Sequence, residues 1–210
     1  MLMLISFIFS CFALALSPGP DNIYLAALTS KSGKVAGFSF LAGLITGCFI
    51  HTILLAIGLN ELLIRHYIFF EIIKYTGISY LLFLSYDTYK SEIFNFYPEK
   101  NIDEIQNNFK KGVLMNLLNP KVFLFFTLFF PNFIYSETFS FKFQILSLGL
   151  IFISVTFIVF GLIILLYNFI YKKFSSNNHF KILAKYFNIL VLLLIALLIL
   201  FTENNLILNS

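Results

Sequence analysis

The stretch LMLISFIFSCFALALSPGPDNIYLAAL, residues 2–28, places two prolines and a glycine between two apolar runs. A transmembrane helix needs about 20 apolar residues to cross ~30 Å of hydrocarbon, and this stretch is long enough. Proline removes a helical hydrogen bond and clashes with the preceding turn, so the helix must break near Pro18 and Pro20. A cleaved signal peptide is the alternative, but a positively charged start is missing and apolar residues resume at Ile23. We therefore predict a retained first transmembrane helix with a central break.

The composition of the whole chain favours a membrane protein. Of the 210 residues, 60% are hydrophobic and 11% are charged, against roughly 25% charged in an ordinary soluble domain. So few charged residues could not cover a soluble core that contains 29 Phe. The net charge of +4 comes from residues scattered between apolar blocks, so no nucleic-acid partner is predicted. Cys11 and Cys48 lie in apolar runs without neighbouring ligands, so we predict neither a metal site nor a disulfide framework.

The apolar segments predict an all-α integral membrane fold of six transmembrane helices. The whole chain, 1–210, forms one transmembrane domain with halves of about 1–105 and 106–210. The third segment is the weakest, because Glu71 and Lys74 lie near its start. The predicted spans are residues 2–28, 37–59, 67–86, 112–134, 143–167 and 182–201.

The positive charges predict the orientation. Alternate loops hold ten Lys, whereas the opposite loops hold only Arg65 and Lys142. Because loops rich in Lys and Arg stay in the cytoplasm, both termini are predicted to face outward from a bacterial inner (plasma) membrane. Three helices per half then give a 3+3 inverted repeat, and the first helix of each half carries proline, Pro18 and Pro20 in one and Pro120 in the other.

Matching interrupted helices in two halves indicate the substrate site of a transporter. Backbone groups freed by a break are tolerated at membrane depth only where they face protein or a wet cavity. We therefore predict that both broken segments line a central site. The candidate substrate-binding residues are Ser17, Pro18, Gly19, Pro20, Asp21, Asn22, Asn116, Asn119, Pro120 and Lys121.

Asp21 and Lys121 are the ionisable members of this set. A charge within the hydrocarbon costs about 2.5 to 3.5 kcal/mol, so each should have a partner. Lys121 or freed amides could hold a carboxylate, and Asp21 could hold an ammonium or a proton. Two alternatives stay open: the two residues pair only with each other, or Asp21 caps the helix that starts near Pro18.

Asp21, His51 and Asp87 are the candidates for proton coupling. His51 follows Ser39, Gly43 and Gly47 at intervals of four residues, which predicts a groove of small residues with a histidine at its end. An imidazole changes charge near neutral pH and could relay protons, although a hydrogen bond between helices is the simpler role. Asp87 lies where the third span ends and is either a solvated boundary residue or a cation gate.

Four motifs resemble the lysine/homoserine exporter (LysE/RhtB) family of amino-acid translocators. They are Ser17-Pro18-Gly19-Pro20, residues 43–47 (GLITG) with His51, residues 74–81 (KYTGISYL) and residues 112–121 (GVLMNLLNPK). The resemblance covers nearly the whole chain. It implies a six-helix inner-membrane carrier that exports amino acids in exchange for protons, with no bound cofactor. Ser85 departs from the family pattern, which usually has a glycine there.

The predicted function is secondary transport of amino acids or related small metabolites, so the chain is not predicted to be an enzyme. The implied partners are a small-molecule substrate, the lipid bilayer and protons, and a homo-oligomer stays open. A membrane redox or disulfide-exchange protein of similar layout is the alternative. It would need paired reactive cysteines, and neither Cys11 nor Cys48 lies beside a proline break.

Overall fold

A computed structural model of the chain describes residues 2–17, 19–58, 67–90, 105–167 and 178–201, and all regular structure in these ranges is helical. After the short helix Pro120–Leu124 the chain widens into a π-helical turn, Phe125–Phe129, and then tightens into a 3₁₀ turn, Phe130–Phe133. The α-helices are α1 Leu2–Leu16, α2 Pro20–Ala56, α3 Tyr67–Lys90, α4 Ile105–Leu117, α5 Pro120–Leu124, α6 Phe141–Leu165 and α7 Asn178–Leu200.

Several of these helices have the length and composition of membrane spans. Three of the described helices are long and apolar enough to cross a membrane by themselves, namely α2, α6 and Lys181–Leu200 of α7. The bent pair of α4 with the segment Pro120–Phe133 makes a fourth. Their outer faces carry exposed apolar side chains such as Leu183 (66% exposed), as lipid requires. α3 is not among these candidate spans, so the count of six spans stays a prediction.

α2 is a hairpin of two helical arms rather than a single rod. Gly33 breaks it with φ 82°, a left-handed conformation that glycine adopts readily. The Tyr24 and Phe40 rings lie 4.8 Å apart, although 16 residues of straight helix would separate them by about 24 Å. Residues 20–32 and 34–56 therefore run in opposite directions. The sequence predicted that the first span ends at residue 28 and the second begins at residue 37, and this tight turn lies between them.

Both predicted helix breaks lie where the prolines indicated. α1 ends at Leu16 and α2 begins at Pro20, after Gly19 in an extended conformation. α4 ends at Leu117 and α5 begins at Pro120, and the two halves of this bent pair meet at 48°. Each new helix has proline at its first position, where no backbone N–H is needed. Pro18 lies outside the described residues.

Glycines bring α2 and α4 into backbone contact, as the predicted groove of small residues requires. A Cβ on Gly43 would lie 2.9 Å from the Cα of Gly112 and closer still to the Phe109 carbonyl. One turn further along, a Cβ on Gly47 would lie 2.5 Å from Asn116 Oδ1. Small residues allow this close approach, which holds the second arm of α2 against the helix that precedes the second break.

Candidate functional site

Lys121 joins the two helix breaks. Its ammonium donates to the carbonyl of Ser17 at 3.1 Å and to that of Leu14 at 3.4 Å, and the side chain is 3% exposed. Within a helix the Leu14 carbonyl would accept from the N–H four residues on, but a proline at position 18 has none. The last carbonyls of a helix also carry partial negative charge, which favours a cation. The second break thus supplies the cation that satisfies the end of α1.

Asn22 supplies a further hydrogen bond to the end of α1. Its side-chain amide donates to the Ala15 carbonyl at 2.8 Å, while its backbone N–H donates to Asp21 Oδ1 at 3.1 Å. Three carbonyls at the end of α1, those of Leu14, Ala15 and Ser17, therefore bond to side chains from beyond the break. The predicted requirement for compensation at the break is met by specific residues.

Asp21 and Lys121 are buried near each other, with Gly19 between them. Asp21 is 5% exposed, and a Cβ on Gly19 would lie 2.7 Å from Asp21 Oδ1 and 3.1 Å from Lys121 Nζ. Glycine at this position leaves room for both charged groups. Among the described residues, the hydrogen bonds of the ammonium go to backbone carbonyls and not to the Asp21 carboxylate.

This geometry decides between the two alternatives for Asp21, which were pairing only with Lys121 and capping the helix that starts near Pro18. The residue that precedes α2 is Gly19, which offers no side-chain cap, and Asp21 accepts the Asn22 N–H inside the first turn. Asp21 therefore serves the start of α2 in part, because a carboxylate there is favoured by the helix dipole. The reading in which Asp21 and Lys121 satisfy only each other is wrong, since both hold backbone groups.

The two breaks have the same local construction. Asn119 caps α5 by accepting the Lys121 N–H at 3.1 Å, Pro120 is the first residue of the helix and Lys121 the second. In α2 the same three positions are Gly19, Pro20 and Asp21. Each restarted helix therefore presents a charged residue at its second position, negative in one half and positive in the other.

His51 supports the second break from α2. Its ring hydrogen-bonds to the backbone of Asn116, whose carbonyl would accept from residue 120 if that residue were not proline. The ring stacks on Phe126 with centroids 5.2 Å apart. Within the described ranges Nε2 of this buried imidazole has no partner, so Nδ1 makes the bond. The simpler of the two predicted roles, a hydrogen bond between helices, is present.

A small cavity lies where the two breaks meet. Its volume is about 20 Å³, enough for one water molecule, so a larger solute needs its walls to separate. Four of its lining residues are polar, namely Asp21, Asn116, Lys121 and Thr156. The remaining lining residues are mostly apolar, namely Leu14, Ala15, Cys48, Val122, Phe152 and Phe160.

Among the described residues, three buried polar atoms without a partner belong to residues that line this cavity or hydrogen-bond to its lining residues. In the part of the chain that the structure describes, Asn116 Oδ1, Asn119 Nδ2 and Asn22 Oδ1 make no hydrogen bond. A buried polar group without a partner costs about 1–3 kcal/mol, so these atoms are available to a polar ligand. Asn116 and Asn22 offer acceptors and Asn119 a donor. The site therefore has unused hydrogen-bonding capacity of both kinds.

The structure brings most of the predicted site residues together. Pro20 is exposed and Pro120 half-buried, and both act by interrupting the backbone. Asp87 is exposed on α3 and does not line the cavity. Pro18, also predicted for the site, is outside the described residues. The residues assembled at or beside the cavity are Ser17, Gly19, Asp21, Asn22, Asn116, Asn119 and Lys121.

The sequence prediction missed the contributors on α6 and α7. Thr156, Phe152 and Phe160 line the cavity from α6, and Asn188 on α7 accepts the hydroxyl of Ser17 at 2.6 Å. A lone asparagine within an apolar run was a usable signal for Asn188, since polar groups are costly in hydrocarbon. The cavity-lining Phe residues had no such signal among 29 Phe.

These features define a multi-pass membrane protein built around a buried polar site at two helix breaks, the arrangement typical of secondary transporters. The sequence model of the family described as "LysE type translocator" matches residues 12–202. The chain therefore belongs to this family.

Individual relatives agree with this assignment. The chain is 33% identical over 122 residues to the homoserine/homoserine lactone efflux protein of Salmonella typhi and 32% identical over 122 residues to that of Salmonella typhimurium. It is 30% identical over 128 residues to the uncharacterized membrane protein YrhP of Bacillus subtilis. These alignments cover 56–58% of this chain and 59–60% of each relative. No solved structure matches.

Proposed function

We propose that this protein exports zwitterionic amino acids, or related small metabolites, across the bacterial inner membrane. The observation that carries the proposal is the burial of one ammonium, on Lys121, and one carboxylate, on Asp21, at a single cavity between two broken helices. The homoserine efflux relatives transport a molecule of this class by their names. Secondary export needs no bound cofactor, and none is included in the proposal.

The two charges suit the two ends of an amino acid. The carboxylate would bind Lys121 Nζ and the unpaired Asn119 Nδ2, close to the positive end of α5. The ammonium would bind Asp21 and Asn116 Oδ1. With one charge of each sign, the cavity matches a solute of zero net charge better than a cation such as lysine.

The apolar lining residues of the cavity determine which substrate side chain is expected. Phe152 and Phe160 would contact a small aliphatic group, and Thr156 adds a hydroxyl beside them. A site that hydrogen-bonds a substrate hydroxyl discriminates strongly against analogues without it. We therefore expect small neutral amino acids, with apolar or hydroxylated side chains, to be the preferred substrates.

Six spans in a 3+3 inverted repeat form the proposed architecture, and the helix directions support it. Gly43 and Gly47 of α2 meet Gly112 and Asn116 in that order, so the second arm of α2 and α4 run parallel. Two parallel spans require a return crossing between them, for which α3 is the described candidate. α2 meets α6 with Thr52 beside Gly149 and residue 37 beside residue 164, which is an antiparallel order.

Exchange of the two halves preserves the pattern of packing. In the proposed repeat, α1 corresponds to α4, the second arm of α2 to α6, and α3 to α7. The second arm of α2 packs on α4, and its counterpart α6 packs on α1. The second arm of α2 also packs on α6, and α3 packs on α7, so each of these helices contacts its own counterpart. This is the pattern expected when two repeats with opposite orientation share one axis in the membrane plane. With the cytoplasmic Lys-rich loops, both termini would face outward. A homo-oligomer is compatible with this arrangement.

Proton antiport is the proposed energy source, with Asp21 as the coupling residue. Asp21 lines the cavity, whereas His51 supports Asn116 from outside it and Asp87 is exposed. A proton and a substrate ammonium would compete for the same carboxylate, which couples their movements in opposite directions. Acidifying the side to which substrate is exported should therefore drive export, and dissipating the gradient should stop it.

Transport by purified protein in liposomes tests the proposal. The panel of labelled solutes is L-homoserine, L-threonine, L-leucine and L-lysine, with and without a pH gradient. Asp21→Asn should abolish proton-driven transport, and Asp87→Asn serves as the matched control on an exposed carboxylate. Failure of the wild-type protein to transport any solute of the panel would contradict the proposed function.

The redox alternative has its own test. Cys11 and Cys48 are both buried, and they do not form a disulfide with each other. Replacing Cys11 by alanine and Cys48 by serine, which keeps an acceptor for the Asn116 amide, should leave transport within about twofold of wild type. Loss of activity with preserved folding would favour thiol chemistry instead.

A further inference from the structure

Asn188 links the first helix break to the helices outside the cavity. The Ser17 hydroxyl donates to Asn188 Oδ1 at 2.6 Å, and the side chains are 0% and 4% exposed respectively. Asn188 Nδ2 in turn donates to the Thr88 hydroxyl of α3 at 3.5 Å, the outer limit for such a bond. One asparagine on α7 therefore connects the end of α1 with α3.

Ser17 is held from two sides at once. Its side chain bonds to Asn188, and its carbonyl accepts the Lys121 ammonium at 3.1 Å. Ser17 lies just beyond the last residue of α1, where helical hydrogen bonds no longer fix the carbonyl direction. The hydroxyl bond to Asn188 therefore orients the residue whose carbonyl positions a charged group of the cavity.

α3 and α7 form a pair that packs closely together, whereas the second arm of α2 packs on α4 and α6. The cavity lining belongs to the second group and to the segments at the breaks. A hydrogen bond from α7 to Ser17 thus crosses from the pair to the substrate site. A change in the position of α7 would reach Lys121 through Ser17.

We propose that Asn188 is a positioning residue for transport, which holds Ser17 and, through it, the Lys121 ammonium in the geometry that binds substrate. Its effect on transport rests on the proposed function, whereas its effect on the cavity does not. A residue that only stabilised the bundle would act independently of Ser17. A positioning residue acts through Ser17, so the two substitutions should not add.

Alkylation of Cys48 measures the cavity directly. Cys48 lines it and is 1% exposed, and with Cys11→Ala it becomes the only cysteine of the chain. In this background, N-ethylmaleimide labelling should be about tenfold faster with Ser17→Ala or Asn188→Leu, the factor for one lost hydrogen bond. The double variant should label no faster than either single one. Ser17→Ala removes only a hydroxyl, so this variant tests the inference even if Asn188→Leu does not fold.

Asn108→Leu is the matched control, since it removes another buried asparagine, on α4, without touching Ser17. It should leave the labelling of Cys48 unchanged. Wild-type labelling rates with Ser17→Ala and Asn188→Leu, or additive acceleration in the double variant, would overturn the inference. So would an equal acceleration with Asn108→Leu, because it would indicate a general loosening.

Transport in liposomes supplies the second readout. Asn188→Leu, Ser17→Ala and the double variant should each raise the KM for the transported amino acid about tenfold, with the maximal rate changed less than twofold. A lower maximal rate at unchanged KM would contradict positioning. If wild-type protein transports nothing while the labelling pattern holds, the proposed function fails and the positioning of the cavity by Asn188 stands.

Discussion

Replacing Lys121 by methionine removes the ammonium that connects the two breaks but keeps most of the volume of the side chain. The Ser17 carbonyl loses a 3.1 Å charged hydrogen bond, and the Leu14 carbonyl loses a weaker one at 3.4 Å. A hydrogen bond to a charged group contributes about 1.5–3 kcal/mol. The Asp21 carboxylate also loses the nearby positive charge, and removing one partner of a buried charge pair costs about 3–5 kcal/mol.

The charged hydrogen bond that Lys121 would make to the substrate contributes about 1.5–3 kcal/mol, which predicts a loss of transport of about 10-fold to 150-fold, since each 1.36 kcal/mol corresponds to a factor of ten. The lost contacts within the protein also predict a lower melting temperature for Lys121→Met, so folding and function must be separated. The double variant Asp21→Asn/Lys121→Met removes both charges and should recover much of the stability. Because it lacks both groups that would hold the substrate, it should still not transport.

The assay is counterflow of the labelled panel in liposomes, with melting measured on the same purified samples. Lys142→Met is the matched control, since Lys142 is exposed at the start of α6. It should transport like wild type. Transport by Lys121→Met within threefold of wild type, or full recovery of transport in the double variant, would refute the reasoning.

The remaining predictions concern the fold around the site. Gly43→Ala should destabilise the protein by about 1–3 kcal/mol in thermal unfolding, because its methyl group meets the Phe109 carbonyl. Gly161→Ala, with nothing within 4 Å of the added methyl, should be neutral, and equal melting of both variants would contradict the α2–α4 contact. Gly33→Ala should lower the melting temperature through strain at φ 82°, and an unchanged temperature would argue against the tight turn. Asn119→Ala should cost about 1 kcal/mol of stability in the same unfolding measurement by removing the cap of α5, and unchanged melting would contradict the role of this cap.

The helix breaks could be predicted from the sequence because proline acts locally. Pro20 and Pro120 cannot continue a helix whatever surrounds them, and the restarted helices begin at these residues. The apolar runs likewise predicted α6 and α7 to within a few residues. The meeting of Gly43 with α4 was also foreseeable as a helix contact, although the sequence did not say which helix would fill the groove.

The pairing across the site could not be predicted. Lys121 bonds to Leu14 and Ser17 over more than 100 residues of sequence, and such contacts depend on how whole helices pack. Charge alone suggested Asp21 as the partner of Lys121, but backbone carbonyls freed by the first break offered closer acceptors. The partner of Asn188 could not be predicted for the same reason, since Ser17 is 171 residues away.

Competition by modified amino acids tests the central claim most directly. Counterflow of the best-transported labelled amino acid is measured with three unlabelled competitors: the same amino acid, its methyl ester without a carboxylate, and its N-acetyl derivative without an ammonium. If Lys121 and Asp21 hold the two charged ends, the parent compound competes and both derivatives lose at least about tenfold in potency. Equal competition by either derivative would contradict the account.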